Sequence, residues 1–145
     1  MSMAPAYQIR QEILRHLHGA VGSFSLPIPI EQIRGILDAS GTPKETFGIL
    51  VSVTDLGDHA GCTGRILVDV QPQILVYTHI NDDPDGSLAD SLATDVLNIM
   101  PSIQYGLDGW LVSYNGNWTA TDAVMMDNFR QITLSAQIPL QRVLN

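Results

Sequence analysis

The chain has 145 residues, 45% of them hydrophobic and 15% charged, a balance that suits one globular domain over residues 1–145 and excludes a disordered chain. Its net charge of −8 is unevenly placed, with eleven acids and one base, Arg65, between Asp55 and Asp127, which excludes binding of a nucleic acid or an anionic membrane through the middle of the chain. No apolar run approaches the roughly 20 residues of a bilayer span, Met1 to Tyr7 lack the basic start and apolar run of a signal peptide, and the single Cys62 cannot form an internal disulfide. The expectation is a cytoplasmic protein, in which the sequon Asn117-Trp118-Thr119 is accidental.

From Pro5 to about Leu17, Ile9, Ile13, Leu14 and Leu17 recur at helical spacing, with Arg10, Glu12, Arg15 and His16 mostly off that stripe; this predicts a surface helix packed along one side. Gly19 and Gly22 end it, and Leu26-Pro27-Ile28-Pro29-Ile30 is extended because each proline restricts the residue before it. Glu31 to Asp38 reads two ways. Ile33, Ile36 and Leu37 fit a short helix, whereas the preceding prolines suit an edge strand. Ser40-Gly41-Thr42-Pro43 is a turn, the near-continuous apolar run from Phe47 to Thr54 predicts an interior strand, and Leu56 to Gly64, with glycines at 57, 61 and 64, predicts a loop closing a hairpin.

Arg65 to Ile80 alternates with period two. Ile66, Val68, Val70, Pro72, Ile74, Val76, Thr78 and Ile80 share one face, and Arg65, Asp69, Gln71, Gln73 and His79 the other. At roughly 3.3 Å per residue such an element reaches about 50 Å, and Pro72, which cannot donate to a ladder, predicts a bulge, a bend or an edge position. Leu67, Leu75 and Tyr77 on the polar face imply that this face is covered too, by the chain's own helices or by another subunit. An acidic break, Asn81-Asp82-Asp83-Pro84-Asp85-Gly86, leads into a helix from Ser87 to Met100, with a capping box at Ser87-Leu88-Ala89-Asp90 and an apolar stripe of Leu88, Leu92, Val96 and Ile99. Beyond Pro101, Gly109 to Tyr114 and Asn117 to Thr121 flank Asn115-Gly116, a strong two-residue hairpin signal. Phe129 to Leu140 closes the chain as a strand with Ile132, Leu134, Ala136 and Ile138 on one face. The fold class is α+β, a mostly antiparallel mixed sheet with two main helices packed on one face.

The residues with chemical potential do not assemble into a specific site. A calcium loop numbered from Asn81 places Asp83 third, Asp85 fifth and Gly86 sixth, but Leu92 stands where the closing Glu belongs; the turn Asp82 to Asp85 therefore reads as a helix start. His16 and His18, two apart on a helix, point to opposite sides and cannot share a metal. Asp58, His59 and Cys62 fall in one loop with the residue types of a small ligand-binding or catalytic site, and His79 reads as a strand residue. Nucleophile elbows, phosphate loops and dinucleotide fingerprints are absent. Trp110, Tyr114 and Trp118 read as packing around the Asn115-Gly116 hairpin, or as an interface where exposed together. No catalytic, cofactor-binding or metal-binding residue is assigned.

The order of elements resembles the tail terminator or tail completion proteins of bacteriophages and prophages. The resemblance is carried by the opening helix Ile9-Arg10-Gln11-Glu12-Ile13-Leu14, the strand Arg65 to Ile80 running into Asp82-Asp83-Pro84-Asp85-Gly86, the helix Ser87 to Met100, and the strand Arg130-Gln131-Ile132-Thr133-Leu134. It implies a non-enzymatic, virion-associated structural protein that forms a homo-oligomeric ring at the tail end and meets other tail or neck proteins. Glu31 to Gly64 depart from the pattern, and no functional residue carries over. The alternatives are a ligand-binding domain or enzyme using the Asp58 to Cys62 loop, and an acidic protein-interaction module.

Overall fold

The computed structural model describes residues 4–35, 46–59, 67–112 and 114–142. Its elements run α1 (Pro5–Gly19), β1 (Ile33–Gly35), β2 (Phe47–His59), β3 (Leu67–His79), α2 (Ser87–Ile99), β4 (Trp110–Val112), β5 (Thr119–Ala120), β6 (Val124–Met126), β7 (Phe129–Ser135) and β8 (Ile138–Arg142). All eight strands join one sheet, antiparallel apart from the parallel pair β1–β2. The fold class is thus α+β, as the periodicities predict. Within Glu31 to Asp38 a 3-10 turn over Ile30–Gln32 is followed by β1 at the sheet edge, so the edge-strand reading holds up to Gly35, and Ile33, which the helix reading used, lies in the strand. The rest of that segment, the turn Ser40 to Pro43 and residues 60–66 lie outside the described residues.

The long alternating strand organises the sheet. β2 pairs with β3 from Phe47↔Thr78 to His59↔Leu67, with one register shift between Asp55 and Gly57. Strand geometry therefore continues through Leu56 to His59, where a loop was expected. On its other edge β3 meets β7 and β8 in a single register, from His79↔Phe129 to Gln73↔Ser135 and from Val70↔Ile138 to Leu67↔Gln141. Residues 129–142 are in effect one strand, interrupted at Ala136 and Gln137. The interruption has a chemical cause in Pro72. The Pro72 carbonyl accepts from the Ala136 N–H at 3.3 Å; the N–H that would return the bond toward Ala136 does not exist in proline. Pro72 thus sits buried inside the sheet, neither at an edge nor at a bulge, and the bulge lies in β2.

The expected hairpin at Asn115-Gly116 does not form. β4 pairs with β8 while β5 and β6 pair with β7, so residues 110–112, 119–120 and 124–126 run back along 129–142 around Asp127-Asn128, both at positive φ (52° and 68°). Asp and Asn tolerate that conformation better than other residues with side chains. A strand of fourteen positions demands a partner of comparable length, and this non-local demand overrides the local Asn-Gly preference. Gly116, at φ 89°, instead crosses the interruption in β7–β8. A Cβ there would lie 2.9 Å from the Ala136 Cβ, and the Asn115 side-chain amide donates to the Ile103 carbonyl at 3.2 Å.

The core lies between the two helices and one sheet face. Ile9, Ile13 and Leu17 of α1 and Leu92, Val96 and Ile99 of α2 pack against Ile49, Val51, Ile74, Val76, Leu134, Ile138 and Leu140. Contrary to the amphipathic reading, Arg10 is buried with the stripe, its guanidinium 5.3 Å from the Tyr7 ring centroid, a distance suited to cation–π attraction. The opposite sheet face carries a smaller cluster of Leu50, Tyr77 and Phe129 with Leu75 beside it. Among the described residues this cluster is made by side chains of the sheet itself. The Tyr77 and Phe129 rings meet edge to face at 5.8 Å, and the Tyr77 hydroxyl lies over Gly48, where a Cβ would come within 2.4 Å of it and 2.8 Å of the Gln32 carbonyl oxygen.

Gly48→Ala is therefore expected to destabilise the protein by about 2–3 kcal/mol through overpacking. Gly19→Ala, which meets nothing within 4 Å, should leave stability unchanged or raise it slightly. Urea unfolding followed by circular dichroism compares the two; equal midpoints would contradict the close approach at Gly48.

Candidate functional site

The acidic turn between β3 and α2 is the most highly connected polar feature among the described residues. Asp83 is almost fully buried. One carboxylate oxygen accepts from the Leu88 amide at 2.9 Å, and the other from the Ala89 amide at 3.0 Å and the Thr78 hydroxyl at 2.8 Å. The capping residue is thus Asp83 and not Ser87, which already lies within the helix behind Gly86 at φ 82°. Asp85 takes the remaining early donors, accepting from the Ser87 amide at 3.1 Å and hydroxyl at 2.8 Å. These bonds, the backbone one first, hold the Asp85 carboxyl below its usual range. Arg130 on β7 donates to the Asp83 carbonyl at 2.9 Å and the Pro84 carbonyl at 2.7 Å. Because both Asp83 oxygens face N–H and O–H donors and Leu92 is fully buried, the turn is built as a helix cap that ties α2 to two strands.

The other polar side chains singled out in the sequence have comparable roles. His16 donates through Nε2 to the Ile99 carbonyl at 2.9 Å, binding α1 to the end of α2, and His18 donates to the Ile33 carbonyl at 2.8 Å, binding α1 to β1. The two histidines do point apart. His79 packs edge to face on Phe129 at 5.1 Å and accepts the Asn81 amide through Nδ1. Asp58 and His59 lie on the end of β2, and Cys62 lies outside the described residues. Two buried groups carried no sequence signal. Asp95 accepts the Ser25 amide at 2.9 Å and hydroxyl at 3.0 Å, and the buried Tyr105 hydroxyl has no hydrogen-bond partner among the described residues. Burial, with the Glu12 carboxylate adding to it, raises the Tyr105 pKa well above the ordinary phenol range. Among the described residues no group of three His, Cys, Asp or Glu side chains is placed to hold a metal, and no helix is long and apolar enough to cross a membrane.

Among the described residues, apolar side chains are exposed at both edges of the sheet. At the β1 edge, α1 and the Ile30–Gly35 segment enclose an open groove of about 650 Å³, lined by the apolar Leu14, Ile30 and Ile33 and by the polar Gln11, Arg15, His18, Glu31 and Arg34, with Arg15 paired to Glu12. At the far edge, Val124, Met125 and Met126 are each more than half exposed. Trp110 and Trp118 pack partly against the core, whereas Tyr114 is half exposed, so these three aromatics do not form one platform.

No family model and no curated protein sequence matches the chain. Solved structures do. A chain of the native gene transfer agent virion aligns with TM-score 0.62 and 14% identity over 94% of this chain and 95% of that one. A second solved chain, which carries no functional description, aligns with TM-score 0.59 and 16% identity over 96% and 97%. The likeness covers both chains almost end to end and shows a shared fold.

Asp83→Ala is expected to cost about 3 kcal/mol, from a lost cap and buried donors left unpaired, while millimolar calcium leaves the wild-type melting temperature unchanged; a calcium-dependent rise would overturn the cap reading. For Asp85 the sign follows from its depressed pKa. Its contribution is present above the usual carboxylate pKa and is lost as pH falls through the folded value. Asp85→Ala should therefore be less stable than wild type at neutral pH, with the gap closing below about pH 4.

Proposed function

We propose that this chain is a non-enzymatic structural protein of a phage-type virion, of the tail terminator or tail completion kind, acting as a homo-oligomeric ring at the end of a tail tube. The observation that carries this reading is the near end-to-end likeness to a chain of the gene transfer agent virion. Three features of the molecule support it. The buried carboxylates and the His16 and His18 rings hold backbone groups, which suits a scaffold. The charge is segregated, with no Lys or Arg from Ile66 to Phe129, which suits contact with basic surfaces on neighbours. The two sheet edges present different exposed apolar residues, as head-to-tail assembly requires. Other tail or neck proteins are the partners in this reading, and the protein is virion-associated.

Electron microscopy of the purified protein, with mass photometry across a concentration series, tests it. Closed rings of one stoichiometry are expected at high concentration, and a strict monomer throughout would count against the ring.

A further inference from the structure

We infer that the start of α1 is a binding site for an oxyanion, a carboxylate or phosphate group held between the Arg10 guanidinium and the amides of the helix's first turn. The site is separate from the sheet edges and does not depend on the ring reading.

The first observation is a buried cation without an anion. Arg10 is 7% exposed, and among the described residues its buried Nε and Nη1 atoms have no hydrogen-bond partner. The nearby Glu12 carboxylate is engaged by Arg15. What faces the Arg10 charge is the Tyr7 ring, its centroid 5.3 Å from Cζ. A guanidinium stays protonated in a protein, so it cannot escape the cost of burial by losing its charge. The ring attracts the cation but leaves its N–H donors unfilled.

The second observation is where the guanidinium lies. Helix side chains lean toward the N-terminus, so Arg10 reaches back over the preceding turn, and Tyr7 belongs to the first turn of α1. That turn has no side-chain cap. Its N-cap is Ala4, which makes no side-chain hydrogen bond, Pro5 follows, and the turn holds no acid. Early helix amides have no acceptor within the helix, and the positive end of the helix dipole adds to them. At α2 the Asp83 carboxylate takes the Leu88 and Ala89 amides; at α1 no side chain of the described residues plays that part. A neutral ligand would fill the donors without meeting the charge. An oxyanion does both, with one oxygen on the amides and another on Arg10.

Thermal unfolding of the full chain at constant ionic strength, with chloride exchanged for inorganic phosphate or for acetate, tests the site. The wild type should melt about 4 °C higher once phosphate stands roughly tenfold above its dissociation constant, and Arg15→Met, which removes a charge already engaged by Glu12, should respond as the wild type does. Arg10→Met removes the buried charge at similar volume; it should melt no lower than the wild type in chloride and lose the response. The Arg10 Nε–H resonance of the wild type, followed by NMR through the same titration, should shift with the same dissociation constant, a readout that does not require the variant to fold. An acetate response matching that to phosphate assigns carboxylates, such as those of a neighbouring protein, to the site, and a response to phosphate alone assigns phosphate esters. Equal rises in the wild type and Arg10→Met, or an Nε–H resonance unmoved by either anion, would overturn the inference.

Discussion

The Asp83 carboxylate is the interaction on which the arrangement of helix and sheet depends. The first amides of a helix have no partners within it, and burying them against a sheet without acceptors is costly. Asp83 meets this constraint from the loop before α2, taking the Leu88 and Ala89 amides on separate oxygens while one of them also holds Thr78 at the end of β3. The helix start is thereby fixed to the strand that precedes it. Arg130 completes the junction from β7 by satisfying the Asp83 and Pro84 carbonyls. The one base near this acidic turn therefore acts on the backbone, and three elements meet with their polar groups matched.

A second constraint runs through Pro72. Placing a proline in a strand with partners on both edges removes one ladder bond, and the sheet accommodates the loss where β7 gives way to β8 without any change of register. That gap is also where the outer strand departs from regular pairing, since Gly116 passes within contact of Ala136 and the adjoining Gln137 and Ile138. One missing N–H thus accounts for the break between β7 and β8, and lies beside the irregular crossing between β4 and β5.

What was legible in the sequence follows from how local each determinant is. Period two predicted which residues of β3 and of 129–140 face the helices, and helical spacing predicted the stripes of α1 and α2, because those patterns answer to a single buried face. The hairpin was misplaced because turn preference at Asn115-Gly116 is local, whereas the turn at Asp127-Asn128 is set by the length of the strand that must be paired. Burial of Arg10 was illegible, since its place beneath Tyr7 depends on how the neighbouring elements pack. Asp83 was visible as a capping-type residue, but helix-start rules look at the residue next to the helix, and this cap acts from four positions before Ser87. For the candidate surfaces, charge segregation was readable from composition, while the groove and the exposed tip required the sheet order.

The economy of polar groups bears on where function lies. Asp83, Asp95, His16 and His18, which in isolation have the chemistry of ligands or acid–base groups, hold backbone atoms and fix elements to one another. Exposed apolar side chains lie at the margins of the sheet. A tip needed only for turning requires Asp127 and Asn128 at positive φ, and gains nothing from Val124, Met125 and Met126 in water. Burial would return about 25 cal/mol for each square ångström of that apolar surface, which the described residues leave more than half exposed. The groove at the opposite margin is an apolar recess whose charged neighbours are of both signs, with Glu31 in its lining and Arg15 paired with Glu12. Two different apolar surfaces lie at opposite edges of the sheet, and the described residues leave both open to solvent.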